Sequence, residues 1–541
     1  MIGLMARLAI TAVFCLSCIP ASGQLSRSTI EQLQRATVRV SVAGGGVCSG
    51  VFITPRGHIL TASHGVPADV REVRLQMAGD RHGTALLLAR DADSDAALLQ
   101  LQSTEQPGTS NSADAPPVWV PIATAPASPN EMLVALGCPA REPSGGSPSI
   151  RLGAVRAADP EVLRTTCMLT VGDSGGPLIN RLGQLAGLHR QIGAGREANL
   201  HVGPGSLRDL LRKAGVQPPL QAPSVSPLWP ETQQWQASPQ TLSQLARSTV
   251  EILTHTTAAE LRCVGTRLDR RFIAVKLSLL KPAESLQGRF SDGSMRQLKL
   301  VHANPQLDIA VLENAVEAPL PPPPPEMLPM AIAEAGELVF AVCGLDLKTG
   351  LCRISGPGVI TRTNHSEPPA TPRIGMLLEE QSGESGLRVR EAAPNGPAAV
   401  AGLQSGDLLL TLSGHPVRTL SELGTEVLRH QPGDWLTLEL LRSGKNLTTD
   451  LQAGHDPATT FDRLEYLDGR AGALSVRRTG FKAVLQHDIP LQPSECGGLL
   501  ISVDGRAVGW NIARRARESS LGLPLQVLTE EFSTAAEIAR E

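Results

Sequence analysis

Short runs of alternating apolar and polar residues fill most of this chain, and Gly, Pro and Asp break them at close intervals. "ATVRVSV" is of this kind, and "HILTA", "DAALLQL" and "LVFAV" are short, mostly apolar runs of strand length. Alternation with period two is what a strand with one buried face requires. Its regular recurrence predicts a mainly β protein of the barrel class. Helical patterning is confined to element ends, as in "SLRDLLRKAG" from Ser206. Two further short helices are announced by serine caps, in "SRSTIEQLQRATVRV" and "SPQTLSQLARSTVEI", each turning β-branched at its end.

Those two stretches are copies. Thr29, Gln32, Leu33, Arg35, Thr37 and Val38 recur as Thr241, Gln244, Leu245, Arg247, Thr249 and Val250. The correspondence continues. "GVCSGVFITPRGHILTASH" answers "LRCVGTRLDRRFIAVKLS", "DAALLQL" answers "DIAVLEN", and "MLVALGC" answers "LVFAVCG". Last, "GDSGGPLINRLGQLAGLHR" answers "SECGGLLISVDGRAVGWNI". So long a run of matches reads as an internal duplication. Between the copies, residues 215–240 are rich in proline and read as a semi-extended linker. A second proline tract, "APLPPPPPEMLP", reads as a surface loop within copy two.

The chain starts with Arg7, an apolar run from Leu8 to Ile19, and the small-residue site "ASG" before Gln24. This predicts a signal peptide over 1–23 and an exported protein, with lipoprotein processing at Cys18 as the alternative. Export makes the remaining cysteines a disulfide question. Beyond the leader stand Cys48, Cys138, Cys167, Cys263, Cys343, Cys352 and Cys496. Cys343 and Cys352 flank a turn and are candidates to pair, with Cys138 and Cys167 a weaker choice. None stands at metal-ligand spacing with histidine, so neither a metal nor another cofactor is expected. In a chain of 541 residues, aromatics are only 3%, so the cores must be aliphatic. A formal charge of −3 carries no footprint for nucleic acid.

Copy one holds a set of residues that fits nucleophilic amide hydrolysis. That chemistry needs an attacking oxygen, a base, a group to orient the base, and donors for the oxyanion. "GDSGGPL" offers Ser174, with the Gly172 and Ser174 amides as oxyanion donors. "TASHGV" offers His64 after an apolar strand, and "DSDAALLQL" offers Asp95 at the head of another. Asp91 and Asp93 are rivals for the orienting role. Asp95 is preferred because its strand-head position recurs at Asp308.

These segments resemble the HtrA (DegP-like) branch of the trypsin-like serine proteases. The resemblance implies chymotrypsin-like double β-barrels with the site between barrels. It implies an endopeptidase of unfolded or partly folded exported proteins, and it makes an oligomer conceivable. Asp173 departs from the Asn usual in that branch. Digestive trypsin-like enzymes pair this Asp with a new amino terminus, which leaves its partner here open. Met168, six residues before Ser174, implies an apolar side chain before the cut bond.

Residues 372–455 include "RIGMLLEE" and "GPAAVAGLQSGDLLLTLSG", which resemble a PDZ domain, an α+β module. The resemblance implies capture of peptide C-termini or extended segments. Ile374, Gly375, Met376 and Leu377 would form the carboxylate loop, with Leu423 and Val427 as groove walls. The module interrupts copy two, dividing it into 241–371 and 456–541, while copy one spans 24–214. In copy two Cys496 takes the nucleophile's place and Ser278 falls opposite His64, with Leu277 or Leu279 after a one-residue shift. Asp308 is retained, and His487 is not in the base's place. A thiol still wants a base to ionise, so copy two reads as a pseudoprotease, with a redox-sensing thiol at Cys496 as another reading. The rival for the whole chain is a non-catalytic peptide-binding scaffold with a latent protease domain.

Overall fold

The structure is a computed structural model. It describes residues 23–539 except 43–45, 106–115, 143–145, 218, 220–222, 224, 255–260, 283–284, 315–331, 381–384 and 456–462. The leader before Gly23 and the proline tract 318–329 lie outside the described residues.

Four closed six-stranded barrels account for most strands. They span 37–105, 132–202, 249–314 and 338–523. With the strands of each barrel numbered in chain order, every ring runs 1-2-3-6-5-4. The protein is therefore mainly β, and its paired barrels have the trypsin-like double-barrel form.

The entry to each pair is built the same way. Helix Arg27–Ala36 is capped by Ser26 and helix Pro239–Ser248 by Ser238, each hydroxyl accepting an amide three residues on. Each helix stops at a threonine whose hydroxyl donates four residues back, Thr37 to Leu33 at 2.8 Å and Thr249 to Leu245 at 2.9 Å. That back-bond ends the helix, and the β-branched residue then starts a strand.

The first pair shares one core. Val51, Leu60 and Leu98 of the first barrel meet Val134, Leu136 and Leu188 of the second. Full burial of each such side chain contributes about 1.5–3 kcal/mol. Leu228 and Trp229 are buried in the same cluster, and Trp229 packs edge-on against Trp235. This part of the proline-rich stretch thus docks onto the first pair, because its apolar residues have a core to enter. The fourth barrel in turn docks on the second. Asp488 accepts the Leu152 amide at 2.6 Å and the Val359 amide at 2.7 Å.

A separate sheet stands between the second and third strands of the fourth barrel, Leu351–Glu367 and Phe481–His487. Its main strands run in the order 376–380, 387–392, 408–412, 435–442, 445–452. Its ends meet, since Arg373 and Gly454 exchange backbone hydrogen bonds of 2.9 and 2.8 Å. Ends this close let a module sit inside a barrel without opening it.

All seven described cysteines are buried free thiols, against the expected pairings. The hairpin explains the first. Cys352 stands opposite Leu345, in the same apolar cluster. Cys343 falls at a bulge and belongs to another cluster, with Val339 and Ala341. Cys167 lies within the second barrel's own core, whereas Cys138 follows a strand of that barrel and donates its amide to the Ser49 hydroxyl oxygen at 2.9 Å.

Candidate active site

Strand His58–Ala62 ends in a single tight turn, Ser63–Gly65, which holds His64 at the mouth between the first two barrels. Asp95 grips this turn twice. Its Oδ1 accepts the His64 amide at 2.9 Å and its Oδ2 lies 2.8 Å from Nδ1. A carboxylate only accepts, so Nδ1 carries the proton and Nε2 is left bare. Nε2 lies 3.0 Å from Ser174 Oγ, in place to accept its proton. Asp95 has φ +62°, and its carbonyl takes the Ser63 amide at 3.1 Å. Asp91 instead caps its own loop through the Asp93 and Ser94 amides and pairs with Lys213 at 3.2 Å. The Ser94 amide bond, helped by Lys213, lowers its pKa against the opposing effect of burial. Asp93 contributes only its carbonyl, to Arg190.

The nucleophile loop depends on two left-handed glycines. At Gly172, φ +98°, an added Cβ would stand 2.5 Å from Cys138 O. At Gly175, φ +81°, it would stand 2.4 Å from Ala62 N and Ser49 O. Ser49 fastens the loop, donating its hydroxyl to Gly172 O at 2.7 Å and its amide to Ser174 O at 2.8 Å. Among the described residues the amides of Gly172 and Ser174 donate to no protein acceptor.

Asp173 has an internal partner that the sequence did not reveal. Arg151, on strand Ser149–Ala158, meets it in a two-pronged pair at 2.5 and 2.7 Å, both side chains buried. Burial works against the Arg151 charge, but Asp173 outweighs it and holds the guanidinium pKa above its usual value. Asp173 also accepts the Thr170 amide at 2.7 Å, and Arg151 donates to Met168 O at 3.0 Å. Behind the loop His189 and His201 form a neutral chain, with Nδ1 atoms 3.0 Å apart. His189 Nε2 donates to Leu136 O at 3.1 Å, and the Thr165 hydroxyl donates to His201 Nε2 at 2.7 Å. Burial, aided by Arg151, lowers the His189 pKa to about 3, and burial also lowers that of His201. The His189 backbone brackets the loop, taking the Gly175 amide at 2.8 Å and giving its own to Gly176 O at 2.9 Å.

A cleft of about 410 Å³ opens at His64, Asp95 and Ser174 and runs along Arg190–Ile192. Arg463 and Leu467, from helix Arg463–Arg470 far along the chain, form part of its wall. No sequence signal ties that helix to the cleft.

The corresponding place in the second pair is arranged differently. Ser278 stands where His64 does, its amide 2.7 Å from Asp308 Oδ1 and its hydroxyl 3.0 Å from Oδ2. Buried Lys276 ion-pairs with the same carboxylate. Cys496 is buried, 3.8 Å from Ser475 Oγ. Burial raises its pKa despite the nearby Lys276. His487 is engaged with Asn511 at 3.0 Å, and burial lowers its pKa to about 3. Gly497 keeps the left-handed turn at φ +103°. Ser494, however, replaces the first glycine and lies in a tight turn, Pro493–Glu495, that spends the Cys496 amide on Pro493 O at 3.1 Å. A cavity of about 610 Å³ opens beside Ser278 and Asp308, and Ser475 and Arg477 pack on the other side of the site. Ser475 donates its amide to Arg514 O at 3.1 Å and accepts the Arg514 amide at 2.9 Å, and Arg477 O accepts from Lys276 at 3.1 Å.

In the inserted module, strand Met376–Glu380 forms the sheet edge beside helix Leu420–Val427. Gly375 turns into it at φ +71°, where a Cβ would meet Pro397 Cδ at 2.8 Å. Leu377 is 62% exposed, Met376 is half-buried, and Ile374 lies in the module's core. Leu423 and Val427 belong to that core as well.

Comparison with known proteins agrees with this architecture. The family described as trypsin-like peptidase domain matches residues 48–188, and the PDZ domain family matches 372–452. The chain carries a trypsin-like peptidase domain and a PDZ domain. The chain is similar to proteins named as DegP-type serine endoproteases. The periplasmic serine endoprotease DegP of Escherichia coli K12 is 32% identical over 90 residues, 17% of this chain and 19% of that protein. The match thus spans about a fifth of that relative's length. A probable periplasmic DegP-like endoprotease of Pseudomonas savastanoi is 23% identical over 417 residues, 73% of this chain and 76% of that protein. A solved serine endoprotease from Yersinia pestis is 16% identical, covers 81% of this chain and 100% of its own, and has a TM-score of 0.30.

Proposed function

We propose that the chain is an exported HtrA-like serine endopeptidase acting on unfolded or partly folded proteins. The observation that carries this reading is the continuous hydrogen-bonded line from Asp95 through His64 to Ser174. Ser174 Oγ attacks the scissile carbonyl carbon while its proton passes to His64 Nε2. Asp95 fixes the tautomer and stabilises the imidazolium. The Gly172 and Ser174 amides receive the oxyanion. His64 then gives its proton to the leaving amine, and water hydrolyses the acyl-enzyme by the same relay.

The domain plan is a peptidase domain over 24–214, a stretch 215–240, a pseudoprotease over 241–371 and 456–541, and the PDZ domain over 372–455. A base-free, buried Cys496 and a Ser278 in the histidine's place support the pseudoprotease part. The PDZ edge strand with the loop Ile374–Gly375–Met376–Leu377 takes extended peptides or C-termini. Export rests on the leader 1–23 and on relatives named as periplasmic. The test is digestion of a denatured protein by the mature chain. Ser174→Ala should abolish cleavage and Cys496→Ala should leave it intact. Cleavage that survives Ser174→Ala and fails in Cys496→Ala overturns the assignment.

A further inference from the structure

The turn that carries the Gly172 and Ser174 amides follows a stretch, residues 166–170, that belongs to no strand or helix. Such a stretch takes its shape from whatever holds its backbone groups. Three of the carbonyls leading to the turn are held from within the first pair. Arg151 donates to Met168 O at 3.0 Å, the Asp173 amide to Thr170 O at 3.2 Å, and the Ala140 amide to Val171 O at 2.7 Å. The remaining one, Leu169 O, is held from the other end of the chain. It accepts from Arg517 Nε at 3.0 Å, and Arg517 lies between strands Ala507–Ala516 and Ser519–Leu523 of the fourth barrel. Nη2 of the same guanidinium donates to Gly193 O at 2.8 Å and to Asn199 Oδ1 at 3.3 Å, just beyond the cleft wall at Ile192.

A second grip falls on the loop after strand Met132–Gly137. The oxyanion turn rests directly on this loop, since a Cβ at Gly172 would stand 2.6 Å from Ala140 N. The next two residues are tied to the second barrel pair. Arg141 pairs with Asp468 of helix Arg463–Arg470 at 2.5 Å, and Glu142 pairs with Arg362 of strand Leu351–Glu367 at 2.5 Å. Asp468 also accepts the Arg517 backbone amide at 2.8 Å, which joins the two grips. Arg517 is fully buried, its three acceptors are neutral, and among the described residues no carboxylate ion-pairs with its guanidinium. A buried cation on neutral acceptors is a weak source of stability. What its planar fork supplies is direction, because it holds two carbonyls at once in fixed geometry.

We propose that Arg517 and the Arg141–Asp468 pair are positioning groups for the Ser174 reaction, through which the second barrel pair clamps the oxyanion turn of the first. This rests on the peptidase reading above. None of the three touches substrate. They act through Leu169 and Ala140, which set where the Gly172 and Ser174 amides point. The second pair thereby serves catalysis without a working site of its own.

The experiment uses the whole mature chain, a peptide substrate and thermal unfolding as a control for folding. Arg517→Gln should lower kcat by roughly tenfold to a hundredfold, the cost of a small misplacement of oxyanion donors, with KM close to the wild-type value. Arg517→Lys should recover part of the loss. Affinity for a peptide aldehyde, whose adduct with Ser174 carries the oxyanion, should fall by the same factor as kcat, and the pH profile of kcat/KM should keep its shape. Arg141→Gln, at a partly exposed residue, repeats the test should Arg517→Gln not fold, and adding Asp468→Asn to it should cost little more. Wild-type kcat in either folded variant, or a loss confined to KM, overturns the proposal. A fluorophosphonate separates the two levels. Wild-type labelling at Ser174 with undiminished variants sinks this inference alone, whereas a folded wild-type chain that takes no label sinks the peptidase reading with it.

Discussion

At Asp95, one carboxylate holds both the backbone and the ring of His64, so its negative charge and its position act together. Asp95→Asn should preserve the fold but favour the wrong tautomer, since an amide can donate to Nδ1. We expect kcat to fall by roughly 10⁴-fold, measured by peptide turnover with thermal unfolding as a control. Arg151 is a residue of another kind. Removing it leaves Asp173 charged and unpaired in the core. Arg151→Met should destabilise the protein by about 3–5 kcal/mol, read from urea unfolding, and a loss under 1 kcal/mol would contradict a buried pair at full strength. The grouping of His64, Asp95 and Ser174 was legible in the sequence because each sits in a local motif of fixed chain order. Arg151 was not, because "SIRLGAV" gives no sign that its arginine points inward, and its partner is 22 residues away. Arg517 was less legible still, since nothing local links it to Leu169 or Gly193.

At the scale of elements, strands of the second and fourth barrels carry histidines that fold into the neutral state. His189 and His487 have pKa values lowered from 6.5 to about 3, and His201 is lowered as well. The unfolded chain takes up protons there that the native state refuses. Stability is therefore full above about pH 6.5 and is lost as pH falls toward 3. Asp488 opposes this in part. Burial, against the Leu152 and Val359 amide bonds, raises its pKa from 3.8 to about 6, so the native state gains a proton there. His455, lowered to about 4, and His58 add to the histidines, while Glu337 and Asp434 are raised like Asp488; the lowered histidines are the more numerous, and Tm should fall between pH 7 and pH 4. A flat or rising Tm over that range would contradict the buried neutral chain. In the PDZ domain, Gly375→Val should weaken binding of an extended peptide, because the turn is left-handed and Pro397 leaves no room for Cβ. Isothermal titration of the whole chain checks this, and unchanged affinity would remove Gly375 from the groove. Alternation and punctuation in the sequence were enough to predict strands and barrels. They could not give side-chain facing at a bulge, and for that reason the Cys343–Cys352 pairing failed.

At the scale of the molecule, two barrel pairs with one ring order have diverged around the same turn. "GDSGGPL" leaves the Gly172 and Ser174 amides open, whereas in "SECGGLL" the Cys496 amide is spent on Pro493 O and Ser278 stands where His64 does. The second pair still contributes to the first. Helix Arg463–Arg470 walls the Ser174 cleft, and Arg517 holds the backbone at Leu169. Repeated motifs in the sequence accompany the shared ring order of the two pairs, but this contact was not legible, because similarity between two segments says nothing about how they pack. The most direct test of the account is labelling of the mature chain with a fluorophosphonate, followed by mapping of the adduct by mass spectrometry. A single adduct on Ser174, absent in His64→Ala and unaffected by Cys496→Ala, is the expected result. A folded wild-type chain that takes no label, or one labelled at any other residue, would contradict it.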